Sequence, residues 1–61
     1  MRALLVEDDV ELGNYLRKGL VEAGYIVDRA GDGEDALFMV TEQQFDVVIM
    51  DLNDTRRYRR P

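Results

Sequence analysis

Glu7, Asp8 and Asp9 stand directly behind the apolar run Ala3-Leu4-Leu5-Val6, and Asp51, 44 positions beyond Glu7, stands directly behind a second run, Val47-Val48-Ile49-Met50. If the two runs are neighbouring parallel strands, their acidic ends meet at the carboxyl edge of the sheet, where open α/β sheets hold their ligands. Carboxylates crowded in this way ionise together only when a cation or a shared proton relieves their repulsion. The chain contains neither Cys nor His. Any metal must then be held through oxygen, and magnesium is the hard cation such donors suit. Glu7, Asp8 and Asp51 form a candidate metal site, to which the backbone carbonyl of Asn53, two residues past Asp51, could add a ligand. Acids at strand ends also cap helices and solvate loops, and that plainer use is the expected one for Asp9 taken alone.

The elements that must position these acids can be read from apolar spacing. Leu4 to Val6 make a continuous apolar run, as a strand buried on both faces of a parallel sheet requires. Asp8 or Asp9 then caps a helix over Val10 to Ala23, in which Leu12, Tyr15, Leu16, Leu20 and Ala23 recur at helical steps and after which Gly24 offers a stop. Tyr25 to Ala30, with Asp28 and Arg29 among β-type residues, suits an edge strand, and Gly31-Asp32-Gly33 makes a turn. A second helix is expected over Glu34 to Gln43, with Ala36, Leu37 and Val40 inward. Phe38 and Met39 are expected to divide between core and partial exposure, and Tyr15 and Tyr25 to serve packing rather than function. Val47 to Met50 repeat the buried-strand pattern. Right-handed crossovers place the second strand on one side of the first and the third on the other, so the fold class is α/β, β-α-β-α-β, with parallel strand order 2-1-3.

At 61 residues the chain holds at most one domain, and one so short is marginally stable by itself. No apolar run approaches the roughly 20 residues of a membrane span, and no signal-peptide pattern precedes the first strand. A soluble, cytoplasmic protein is the expectation. Net charge is −5, but unevenly spread: residues 1–55 hold all 13 acids and four of the eight bases, giving −9, while Arg56, Arg57, Arg59 and Arg60 supply the remaining +4. Residues 54–61 have little apolar surface to bury and are expected to form a disordered basic tail.

The stretches Leu4-Leu5-Val6-Glu7-Asp8-Asp9, Gly33-Glu34-Asp35-Ala36-Leu37 and Asp46-Val47-Val48-Ile49-Met50-Asp51-Leu52 resemble the receiver domain of bacterial two-component response regulators, in the manner of those with a winged-helix DNA-binding output domain. The resemblance runs through Asn53 and implies a flavodoxin-like fold. It implies that Asp51 is the phospho-acceptor for a sensor histidine kinase, and that Asp8 and Asp51 bind Mg2+ directly. Glu7 would act through water and the Asn53 carbonyl would complete the protein ligands. DNA would be reached only through an output domain missing from these 61 residues, and the chain would not be an enzyme. A receiver also carries two further strands bearing a Ser or Thr hydroxyl and a Lys, and neither is present here. Residues 54–61 do not resemble the loop that usually follows the phosphorylated aspartate. The expectation is therefore a truncated receiver, residues 1–53, with an unrelated end at 54–61, not signalling-competent alone.

Other readings compete. A nucleotide-binding domain shares the strand order, but its first strand opens into a Gly-rich turn whose amides meet phosphate, whereas the turn here is acidic. A phosphatase of the haloacid dehalogenase type would use Asp51 with an acid two residues on, and Asn53 is not an acid. The Arg tail could contact nucleic-acid phosphates, against the opposing charge of the body. The strongest competitor is a self-associating structural fragment with no biochemical activity: the third strand would be an open edge, and a homodimer would cover it.

Overall fold

The computed structural model describes residues 1–50. They form β1 (Arg2–Val6), α1 (Val10–Glu22), β2 (Ile26–Ala30), α2 (Gly33–Glu42) and β3 (Val47–Met50). The strands make one parallel sheet in the order β2-β1-β3. β1 is central: Ala3, Leu4 and Leu5 are 0 % exposed and Val6 1 %. Its register sets Val6 opposite Ala30 on one side and opposite Met50 on the other. All three strands therefore end at one level of the sheet.

Local chemistry explains where each helix begins and ends. The Asp9 carboxylate accepts from the Leu12 amide at 3.0 Å and caps α1, and Asp32 does the same for α2 from the Asp35 amide at 2.9 Å. α1 closes with the Tyr25 amide bonded to the Leu20 carbonyl and the Gly24 amide to the Val21 carbonyl, both at 3.0 Å. This paired closure needs a left-handed residue between the helix and the next strand, and Gly24, at φ +100°, supplies it.

Leu4, Val6, Ala30 and Ala36 form a core cluster against which Met39 and Phe45 pack, so α2 covers this face of the sheet. Successive strand residues point to opposite faces. Leu5 and Ala3 accordingly face the other layer, where α1 lies with Gly13 against Arg29 of β2. At the amino edge Arg2 of β1 is joined to β2 and to Asp46, the residue that precedes β3. Its guanidinium pairs with Asp28 at 2.8 Å, its amide donates to the Asp46 carboxylate at 2.7 Å, and its carbonyl accepts from the Asp46 amide at 2.8 Å.

Three side-chain expectations are corrected. Tyr15 is 74 % exposed, and Leu37 and Val40 are exposed at 65 % and 42 %. Each residue turns a helix by about 100°, so Tyr15 lies about that far around α1 from Leu16 and falls outside the stripe of Leu12, Gly13, Leu16 and Leu20. On α2 the inward stripe is Ala36 and Met39, and Leu37 and Val40 lie on its flank. Phe38 is exposed and Met39 packs inward, the division expected of that pair. Asp51, Asn53 and the basic tail lie outside the described residues, and no helix among those described is long and apolar enough to cross a membrane.

Candidate functional site

β1 delivers Glu7 and Asp8 to the carboxyl edge of the sheet because its apolar residues fix the strand completely and its hydrogen bonding continues one residue further. The Glu7 amide donates to the Ala30 carbonyl at 2.9 Å, holding the start of the acidic loop against β2. Glu7 itself is only 2 % exposed, and its Oε2 accepts from the Asp9 amide at 3.0 Å. A carboxylate taken out of water needs such donors or a positive partner. Arg29 brings a guanidinium to the same loop, where its Nη1 donates to the Glu7 carbonyl.

The three consecutive acids therefore have three different situations. Asp9 is committed to capping α1, Glu7 is folded into the loop, and Asp8 is exposed. Asp51 follows Met50, which stands opposite Val6, but neither it nor Asn53 is among the described residues. Among those described, no group of three or more His, Cys, Asp or Glu is arranged to hold a metal ion. The two acids that are placed, Glu7 and Asp8, offer only oxygen donors on one backbone turn, a donor chemistry that suits a hard divalent cation completed by further oxygens. Surface depressions lined by Tyr15, Leu16, Lys18, Gly19 and Glu22, and by Asn14, Arg17 and Val21 beside them, lie along α1 away from this end and bring no cluster of acids together.

Arg29 is the residue that reading the sequence did not connect to this site. Its place on an edge strand explains a charge there without any further role. Gly13, within the apolar stripe of α1, is the signal that a neighbouring long side chain crosses the helix at that point.

Comparison with known proteins agrees with this architecture. Residues 3–53 match the response regulator receiver domain family. The chain is 44 % identical over 52 residues to the probable transcriptional regulatory protein SilR of Salmonella typhimurium, and 46 % identical over 52 residues to the transcriptional activator protein IrlR of Burkholderia pseudomallei. It is 40 % identical over 52 residues to the transcriptional regulatory protein CusR of Escherichia coli. Each of these alignments takes in 85 % of this chain and 23 % of the relative, so the chain spans about a quarter of the length of these curated relatives. No solved structure matches it. Because the family match extends from the central strand through both acidic strand ends, the chain belongs to the response regulator receiver domain family.

Proposed function

We propose that this chain is the phospho-acceptor part of a two-component phosphorelay, with Asp51 receiving a phosphoryl group from a sensor histidine kinase. In that reading Asp8 and Asp51 bind Mg2+ directly, Glu7 acts through water, and the Asn53 carbonyl adds the last protein ligand. The observation that carries it is the placement of Glu7 and Asp8 at the end of a central strand whose last four residues are buried, level with the end of β3. An Asp51 carboxylate oxygen would attack phosphorus as the phosphorus–nitrogen bond of the kinase phosphohistidine breaks, the electron pair leaving with the imidazole. Magnesium, when bound, neutralises charge on both donor and acceptor. Regulation of transcription would be exerted in the cytoplasm through an output domain that contacts DNA. Residues 1–53 are the receiver part, and the abrupt change of charge marks 54–61 as a separate basic tail. The chain is not an enzyme in its own right.

Magnesium titration of the 61-residue chain, followed through backbone amide signals, tests the site. Signals of residues 7–9 and 51–53 should move, and a response confined to the remote acids Glu22 and Glu42 refutes the reading. With acetyl phosphate as donor, Asp51 should stay largely unmodified, because no strand among the described residues brings a hydroxyl and an ammonium group to the phosphoryl oxygens. Stable, stoichiometric acyl phosphate in the mass spectrum would contradict that.

A second reading, self-association as a homodimer, is favoured by β3. Among the described residues it pairs only with β1, and Val48 and Met50 are 46 % and 51 % exposed on the face that α2 partly covers. Such an edge invites pairing with another copy. Sedimentation at micromolar concentration should give a dimer that Val48→Lys dissociates, whereas a folded monomer that persists on concentration excludes it.

A further inference from the structure

Arg29 ties three elements together at the acidic end of the sheet. Its side chain leaves β2 on the face that carries α1, passes the helix at Gly13 and reaches the backbone carbonyl of Glu7. The passage is open because residue 13 has no side chain. A Cβ there would stand 3.0 Å from Arg29 Cδ, 3.4 Å from Nη1 and 3.6 Å from Nε. The first of these is well inside the roughly 3.5–4.0 Å at which carbon atoms pack. Arg29 would have to give way, and Cδ is in the middle of its side chain rather than at a free tip.

The carbonyl that Arg29 grips belongs to the peptide between Glu7 and Asp8, the two acids placed for a cation. On either side the loop is already fastened, the Glu7 amide to the Ala30 carbonyl at 2.9 Å and the Asp9 amide to the Glu7 carboxylate at 3.0 Å. Rotation of the intervening peptide would swing Asp8 relative to Glu7, and the guanidinium opposes that rotation. We propose that Arg29, seated in the groove at Gly13, is a positioning residue that fixes the Glu7–Asp8 peptide and thereby the direction in which both carboxylates are offered to a divalent cation. The proposal rests on the reading of Asp8 as a magnesium ligand and of Glu7 as an acid that acts on the ion through water.

A guanidinium beside a cation site has two effects of opposite sign: it orders the ligands and it repels the ion. Gly13→Ala separates them. It alters no charge and favours helix formation in α1, yet it crowds Arg29 Cδ and so shifts the guanidinium where it meets the carbonyl. In the 61-residue chain, Gly13→Ala should displace the Asp8 amide signal without magnesium, leave the helical circular dichroism intact and weaken magnesium binding roughly tenfold, the scale of lost outer-shell support. Arg29→Leu should also weaken it, and should remove the ordered guanidinium signal in the wild-type spectrum. Tighter magnesium binding by Arg29→Leu with unchanged binding by Gly13→Ala would mean that charge alone acts, and would overturn the proposal. Should Arg29→Leu fail to fold, Gly13→Ala decides. If the wild-type chain shows no magnesium response at residues 7–9, the metal reading falls. The Asp8 amide in Gly13→Ala then still decides whether Arg29 holds the peptide, and an unmoved signal refutes it.

Discussion

β1 and β3 are written in the same vocabulary, short runs of aliphatic residues, and lie side by side in the same sheet, yet they have different surroundings. β1 has a strand on each side and a helix layer on each face, so Ala3, Leu4, Leu5 and Val6 are all buried. β3 has β1 on one side, and along it partly buried Val47 and Ile49 alternate with exposed Val48 and Met50. An apolar run states that a strand requires cover on both faces. It does not state what provides the cover.

The sharpest way to break this comparison is a matched pair of truncations. Leu5→Ala should cost about 2–5 kcal/mol, the range for deleting a buried leucine, enough to unfold much of a marginal chain. Val48→Ala, at a position half exposed, should cost about 1 kcal/mol or less. Denaturant unfolding followed by circular dichroism measures both, and equal losses would show that β3 is as deeply packed as its neighbour.

Next in size is the cap that separates the acids by role. Asp9→Ala should destabilise by about 1 kcal/mol and speed hydrogen exchange at the Leu12 amide, while magnesium-induced shifts at Asp8 persist. Loss of the magnesium response on Asp9→Ala would make the third acid a participant in the site rather than a cap for α1.

The smallest effect concerns how β1 is fastened to β2 and to the chain entering β3. Arg2 meets Asp28 side chain to side chain, with both partly exposed, and such a pair contributes about 0–1 kcal/mol, less at high salt. Asp46 instead accepts from the Arg2 backbone amide. Asp28→Asn should therefore lower stability by no more than about 1 kcal/mol, with the difference fading in 1 M salt. A larger, salt-insensitive loss would mean that Asp28 does more than pair with Arg2.

The order of elements and the strand order 2-1-3 were legible because the apolar periods, Gly24 and the acidic caps all point the same way, and a first strand apolar on both faces calls for a helix on each, which right-handed crossovers turn into that order. Placing Glu7 and Asp8 at the carboxyl edge follows directly from that order. The facing of Tyr15, Leu37 and Val40 did not follow, because steps of three and four residues admit a wider stripe than the sheet covers, and only the neighbouring layer decides where the stripe ends. The reach of Arg29 to Glu7 was hidden for a related reason. It spans 22 residues in sequence and depends on a missing side chain in a third element, which no local pattern expresses.

The central position of β1 has a consequence for the order of events during synthesis. The strand that gathers the sheet is the first to be made, while its partners trail it by 24 residues at Arg2–Ile26 and 44 at Ala3–Val47. On emergence from a ribosome β1 has no strand to pair with, and its four apolar residues must wait through α1 before β2 arrives and through α2 before β3 does. Parallel pairing across such separations closes loops before any contact rewards them and is slow for that reason. Until then an aliphatic segment of the chain lies exposed, and chaperones that capture short aliphatic stretches would meet β1 before they meet β2 or β3.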